Sequence, residues 1–260
     1  MERALRVIRI LAVASFRRGL RGRLGLLALA GVLGMFMLGT VFSRFDKNLG
    51  LELRLVLETG LAASALLVLG TALLLSSRGF GHGEDTRFAQ VLVALPVSRR
   101  ALFLGHFGGL VLTLATYSAG TGLALAATVW WRFGIWRNEL LVHFGTLFVE
   151  AVLLAAVVSL VARWGSAVVA FFTRLAVALI AHAEAVVAHL GESGTSAALD
   201  FLIRMVLKLL PDLAGLDVRA SAVRGVAVKW AALAPALAHA ALYLIAVLWI
   251  ATALFERQEI

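Results

Sequence analysis

The chain has 260 residues, of which 62% are hydrophobic, and a mean hydropathy of +0.96; soluble domains are only about half apolar, so an ordinary globular protein is excluded. The formal charge of +9 falls in no basic stripe interleaved with aromatics, which argues against nucleic acid as a partner and assigns the charge to topology and lipid headgroups. With no cysteine there is no disulfide or thiolate metal site, and none of Lys47, Lys208 and Lys229 is followed by Ser or Thr, so the phosphate loop of a nucleotide hydrolase is missing.

Residues 1–23 place Leu5, Ile8, Leu11, Ala12 and Phe16 at near-helical spacing among seven arginines, from Arg3 to Arg23. This pattern predicts an amphipathic interfacial helix in the headgroup plane or, on periodicity alone, a cytoplasmic extension of the first span. No small-residue cleavage site closes the apolar run that follows, which favours a retained helix over a signal peptide. Six windows are then long enough to cross a hydrocarbon core about 30 Å thick, which takes about 20 helical residues: 24–42, 55–77, 101–131, 140–162, 165–190 and 230–255. The expected fold is an all-α, polytopic membrane protein with six transmembrane helices in a single domain. The arginines before the first span place the N-terminus in the cytoplasm, and six crossings return the C-terminus there. Thirteen basic residues then lie inside and ten outside, and half of the outer set belongs to the long connection 191–229.

The connection between the second and third spans, 78–100, is expected in the cytoplasm. It carries Glu84, Asp85 and Arg87, then Leu92, Leu95, Pro96, Val97, Ser98 and Arg99. Pro96 resists helix continuation and Ser98 suits the N-cap of the third span, so a short charged helix and a fixed turn make a stiff knob. Gly105 and Gly109 have the spacing that permits close helix approach, with packing the default meaning and a dimer contact the alternative. In the fourth and fifth spans, Glu150 and Arg174 fall roughly 18 Å and 13 Å from the cytoplasmic ends at about 1.5 Å per residue. Charges at such depth call for a partner, and a structural ion pair between the two is favoured over substrate contact. His182, Glu184 and His189 share one helix, but only the two histidines recur on one face, so no metal site is assigned. His106, His143 and His239 are isolated. On the outer side, Asp200, Arg204 and Lys208 recur every fourth residue opposite Leu199, Leu202, Ile203, Val206, Leu207 and Leu210, predicting an amphipathic helix that ends at Pro211. It either lies on the membrane or caps a cavity mouth.

The order of several short motifs resembles the ABC-2 type transporter permeases. Pro96-Val97-Ser98-Arg99 precedes Gly105-His106, and Glu58-Thr59-Gly60-Leu61-Ala62 is similar to the family's entry to the second span. Ala181-His182-Ala183-Glu184, Leu210-Pro211-Asp212-Leu213 with Leu216-Asp217-Val218-Arg219, and the ending Leu254-Phe255-Glu256-Arg257 resemble later family segments. Phe88, His106 and Ala181 depart from the usual Thr, Lys and Gly. The resemblance implies a permease half that forms a homodimer in the bacterial inner membrane and works with a separate cytoplasmic ABC ATPase subunit. ATP and Mg would bind that partner, with no cofactor in this chain and no enzyme activity of its own. Glu84 to Arg99 would be the coupling helix, with Leu92 and Leu95 as apolar anchors ringed by charge. The competing classes are a self-sufficient channel or ion-coupled carrier, which needs polar rings or broken helices, a mechanotransmission subunit that moves no solute, and a membrane enzyme, which needs converging acid-base groups.

Overall fold

The computed structural model describes residues 2–21, 49–78, 98–161 and 214–257, with Ala30, Gly34, Met37 and Val41 as isolated helical positions. The described elements are α1 (Glu2–Arg21), α2 (Leu49–Arg78), α3 (Arg99–Phe133), α4 (Asn138–Val161), a 3-10 turn (Ala214–Leu216), α5 (Arg219–Arg224) and α6 (Trp230–Arg257). Among the described residues there is no strand. Four stretches are long and apolar enough to cross a membrane: Leu51–Ser76, Arg99–Phe133, Asn138–Leu160 and Trp230–Leu254. They coincide with the second, third, fourth and sixth spans expected from hydropathy. The first and fifth windows, 24–42 and 165–190, lie outside the described residues, apart from the four isolated positions.

Local chemistry sets the ends of α3. The Ser98 side chain accepts a hydrogen bond from the Ala101 amide at 3.3 Å, the N-cap expected of that residue. At the far end Gly134 takes a left-handed φ of 66° and its N–H donates to the Trp130 carbonyl at 2.9 Å, while Arg132 places a cation in the last turn. Residues 134–137 then turn the chain directly into α4.

Helices α2, α4 and α6 run against α3, so the α3–α4 turn, the start of α2, α5 and the start of α6 gather at one end of the bundle. Packing fixes this register: Leu102 and Phe103 of α3 share a cluster with Leu160 of α4 and Ala251 of α6 at the opposite end. The main core joins Leu57, Leu61 and Val68 of α2 to Leu114 and Leu125 of α3 and Phe144 and Leu147 of α4. Helix α4 is buried at every position from Ala151 to Ser159, the mark of a helix enclosed on all sides. Of the four spanning helices α6 is the least enclosed, and it turns Leu242, Ile245 and Trp249 outward.

A hydroxyl without a partner in such surroundings costs several kcal/mol relative to water, on the order of 2–7. Ser64, Thr71, Ser76, Thr113, Thr121 and Ser159 avoid that cost by donating to the carbonyl four residues earlier. Ser118 instead donates across helices to the Phe144 carbonyl at 2.7 Å, tying α3 to α4.

Helix α1 runs alongside the first part of α3 in the same direction. Leu11 lies against Gly105, Ala12 and Ser15 against Gly109, and Gly19 against Thr113. The Gly-x-x-x-Gly pair therefore serves a contact within the chain: a Cβ on Gly109 would stand 2.6 Å from the Ala12 carbonyl oxygen. The outward face of α1 carries Arg6, Arg9 and Arg17 together with Leu5, Ile10 and Val13.

Candidate functional site

Of the nine residues expected to couple to an ATPase, two are described. Ser98 caps α3 and Arg99 is its half-buried first residue. Glu84, Asp85, Arg87, Leu92, Leu95, Pro96 and Val97 lie outside the described residues, between the end of α2 at Arg78 and Ser98. Glu150 sits half-buried at the middle of α4, and its expected partner Arg174 is outside the described set, as are His182, Glu184, His189 and the helix expected over Leu199–Leu210. His106 meets α1: its Nδ1 lies 3.2 Å from the Ser15 hydroxyl. His143 is buried edge-on to Phe144, with ring centroids 5.4 Å apart, and neither ring nitrogen has a hydrogen-bond partner among the described residues.

The structure assembles a second site that hydropathy does not reveal. At the α3–α4 end, a cavity of about 640 Å³ opens between the first turns of α2, the α3–α4 turn and α5. Four arginines line it, Arg54, Arg137, Arg219 and Arg224, with two carboxylates, Glu58 and Asp217. Each wall is held by its own bonds. Arg54 Nε donates to Glu58 Oε1 at 2.8 Å, one helical turn along α2. Arg219 Nη2 donates to the Glu58 carbonyl oxygen at 3.1 Å, and the Arg219 amide donates to Asp217 Oδ1 at 2.8 Å. The first of these bonds joins α5 to α2 across 161 residues of sequence, and the second fixes the start of α5 locally.

Arg137 closes the third side. Its Nη1 donates to the carbonyls of Ala222 and Val223 at 3.0 and 2.6 Å, capping the last turn of α5 with a cation. Gly225 follows with φ of 68°, and its lack of a side chain leaves room for the guanidinium: a Cβ there would lie 3.2 Å from Arg137 Cζ. Beside the cavity, Arg132 at the end of α3 pairs with Glu52 in the first turn of α2. Around this end stand the exposed indoles of Trp130, Trp131, Trp136 and Trp230, residues that favour the level of lipid headgroups. The sequence marks parts of this, in the four-residue spacing of Arg54 and Glu58 and in Leu216-Asp217-Val218-Arg219, but nothing in it brings α2, Arg137 and the segment 217–224 together.

Compared with known proteins, the chain matches no family model and no curated protein.

Proposed function

We propose that this chain is the membrane-spanning permease subunit of an ABC-2 type transporter, driven by a separate cytoplasmic ATPase. The observation that carries the reading is the order of motifs along the chain, from Glu58-Thr59-Gly60 through Pro96-Val97-Ser98-Arg99 to Phe255-Glu256-Arg257, set on helices that suit it. Helix α2 ends and α3 begins at the end of the bundle opposite the arginine-lined cavity, so the connection 79–97 joins them on that side. In this reading that side is cytoplasmic, the Trp-ringed end is external, and the segment Glu84 to Arg99 enters a cleft of the ATPase. Leu92 and Leu95 seat it, and the surrounding charges set its register. The two undescribed windows supply the first and fifth of six spans. The end of α4 at Val161 and the 3-10 turn at Ala214 stand at opposite ends of the bundle, which agrees with a fifth crossing between them. A second copy completes the pathway in the inner membrane, and closure of the ATPase pair on nucleotide tilts the spans through the stiff turn at Pro96.

The test is purification of the tagged full-length chain from native membranes in mild detergent. A stoichiometric ATPase is expected, with activity in reconstituted vesicles that depends on this chain. Burying a leucine contributes about 1.5–3 kcal/mol, so Leu92→Ala and Leu95→Ala are each expected to weaken ATPase binding by about tenfold or more while the bundle stays folded. A chain that purifies alone and moves solute at full rate without nucleotide refutes the proposal.

A further inference from the structure

We infer that the cavity lined by Arg54, Arg137, Arg219 and Arg224 is a binding site for a phosphate-bearing anion. Its four guanidiniums outnumber its two carboxylates, which leaves an excess of positive charge in a concave space large enough for a headgroup-sized ligand. Glu58 is already paired with Arg54, which leaves Asp217, held by the Arg219 amide, as the one lining carboxylate set against three further guanidiniums. Each guanidinium carries five N–H donors in a planar fork, and the bonds described use only one nitrogen of Arg54, Arg137 and Arg219. Arg224 has no hydrogen bond or ion pair among the described residues. The remaining donors suit the bidentate recognition of phosphate oxygens that arginine favours.

The walls are preorganised as well as charged. Arg137 is clamped by two carbonyls of α5, and Arg219 reaches the main chain of α2, so neither has to be ordered when a ligand arrives. Leu53, Ala220 and Val223 add an apolar side to the same cavity. Its level beside Trp130, Trp131, Trp136 and Trp230 is that of lipid headgroups, so the phosphate belongs either to an anionic lipid of the adjoining leaflet or to a soluble phosphate ester. This assignment stands on the cavity alone and does not require an ATPase partner.

The full-length chain is placed in nanodiscs of phosphatidylcholine with and without phosphatidylglycerol, and the lipids it retains are measured by native mass spectrometry. Glycerol phosphate in detergent solution, titrated calorimetrically, is the soluble probe. Arg224→Gln and the double variant Arg54→Gln/Arg224→Gln are compared with Lys229→Gln, which changes an exposed cation of the same end that does not line the cavity. Preferential retention of phosphatidylglycerol, reduced about tenfold or more by the arginine variants and unaffected by Lys229→Gln, supports the site with lipid as the source. Binding of glycerol phosphate without any lipid preference, lost in the same variants, supports it with a soluble source. Absence of both in the parent protein, or equal losses in all three variants, overturns it. Copurification of an ATPase has no bearing on any of these outcomes.

Discussion

Substitution of Gly109 by alanine is expected to lift α1 from α3. The added Cβ would lie 2.5 Å from Ser15 Cβ, 2.6 Å from the Ala12 carbonyl oxygen and 3.0 Å from the Phe16 nitrogen. Non-bonded carbon contacts prefer about 3.5–4.0 Å, and two of the three atoms are main chain, so no rotamer change relieves the clash. Helix α1 has to move by about 1 Å, which also loosens Leu11 from Gly105. Overpacking of this kind costs about 1–3 kcal/mol, a shift of roughly 5- to 150-fold in the ratio of docked to undocked helix. Thermal stability is a poor readout, because alanine gains up to about 1 kcal/mol over glycine in a helix and masks the loss. The cysteine-free background offers a direct one. A Cβ at Gly108 falls 3.5 Å from Ala12 Cβ, within the span of a disulfide, so the pair Ala12→Cys/Gly108→Cys is expected to cross-link on mild oxidation. Adding Gly109→Ala slows that reaction by the factor above, whereas Gly120→Ala, whose Cβ meets nothing within 4 Å, leaves it unchanged. Equal cross-linking rates in the Gly109→Ala and Gly120→Ala backgrounds would refute the packing argument.

Two further predictions concern the end that holds the cavity. Arg137→Gln removes the cation from the Ala222 and Val223 carbonyls, a loss of about 1.5–3 kcal/mol for charge-assisted bonds, and a six-residue helix has no stability of its own. Hydrogen exchange over 219–226 is expected to accelerate about tenfold or more while α4 keeps its protection. In the same region Gly225→Ala should cost more than Gly134→Ala, since both have left-handed φ but only Gly225 faces Arg137; the difference disappears in the Arg137→Gln background. Glu52 and Arg132 form a partly exposed pair, so Glu52→Gln and Arg132→Gln are expected to be non-additive by about 0.5–1 kcal/mol in a double-mutant cycle, and strict additivity of their unfolding free energies would remove the pair from the account.

Of the six windows expected from hydropathy, the four that fall on described residues coincide with long apolar helices, because burial in oil and helical hydrogen bonding demand the same composition over the same length. Hydropathy failed where polar residues are satisfied by partners remote in sequence. Helix α2 begins at Leu49, six residues before the expected 55, since Glu52 pairs with Arg132 and Arg54 with Glu58, and charges so engaged do not end a helix. Ser98 is readable as a helix start from local chemistry alone, and Gly134 ends the same helix by the left-handed conformation that glycine adopts without strain. Helix α5 was invisible: Arg-Ala-Ser-Ala-Val-Arg is too short for any periodicity, and Arg137, more than 80 residues earlier, holds its last turn. For Gly105 and Gly109 the sequence announces a close approach but not the partner, and α1 fills that role. The cavity shares the same difficulty, as its six charged residues come from three segments and only Arg54 and Glu58 are neighbours on one helix.

The weak charge asymmetry of the sequence has a structural reason in the proposed orientation. Of the ten basic residues assigned to the outer side, Arg54, Arg132, Arg137 and Arg219 are bonded to Glu58, Glu52, the carbonyls that end α5 and the Glu58 carbonyl. Those arginines hold elements together as well as carrying charge, and their position is set by the fold. Arg6, Arg9 and Arg17, by contrast, lie exposed on the outward face of α1 with no bonded partner among the described residues, beside Ile10 and Val13, the arrangement of a surface that meets anionic lipid. The positive-inside rule counts both kinds alike, because it is a rule about sequence. Among the residues lining the cavity, Arg224 stands out as the cation with no bonded partner among the described residues, while Arg54, Arg137 and Arg219 combine a structural bond with donors still unused.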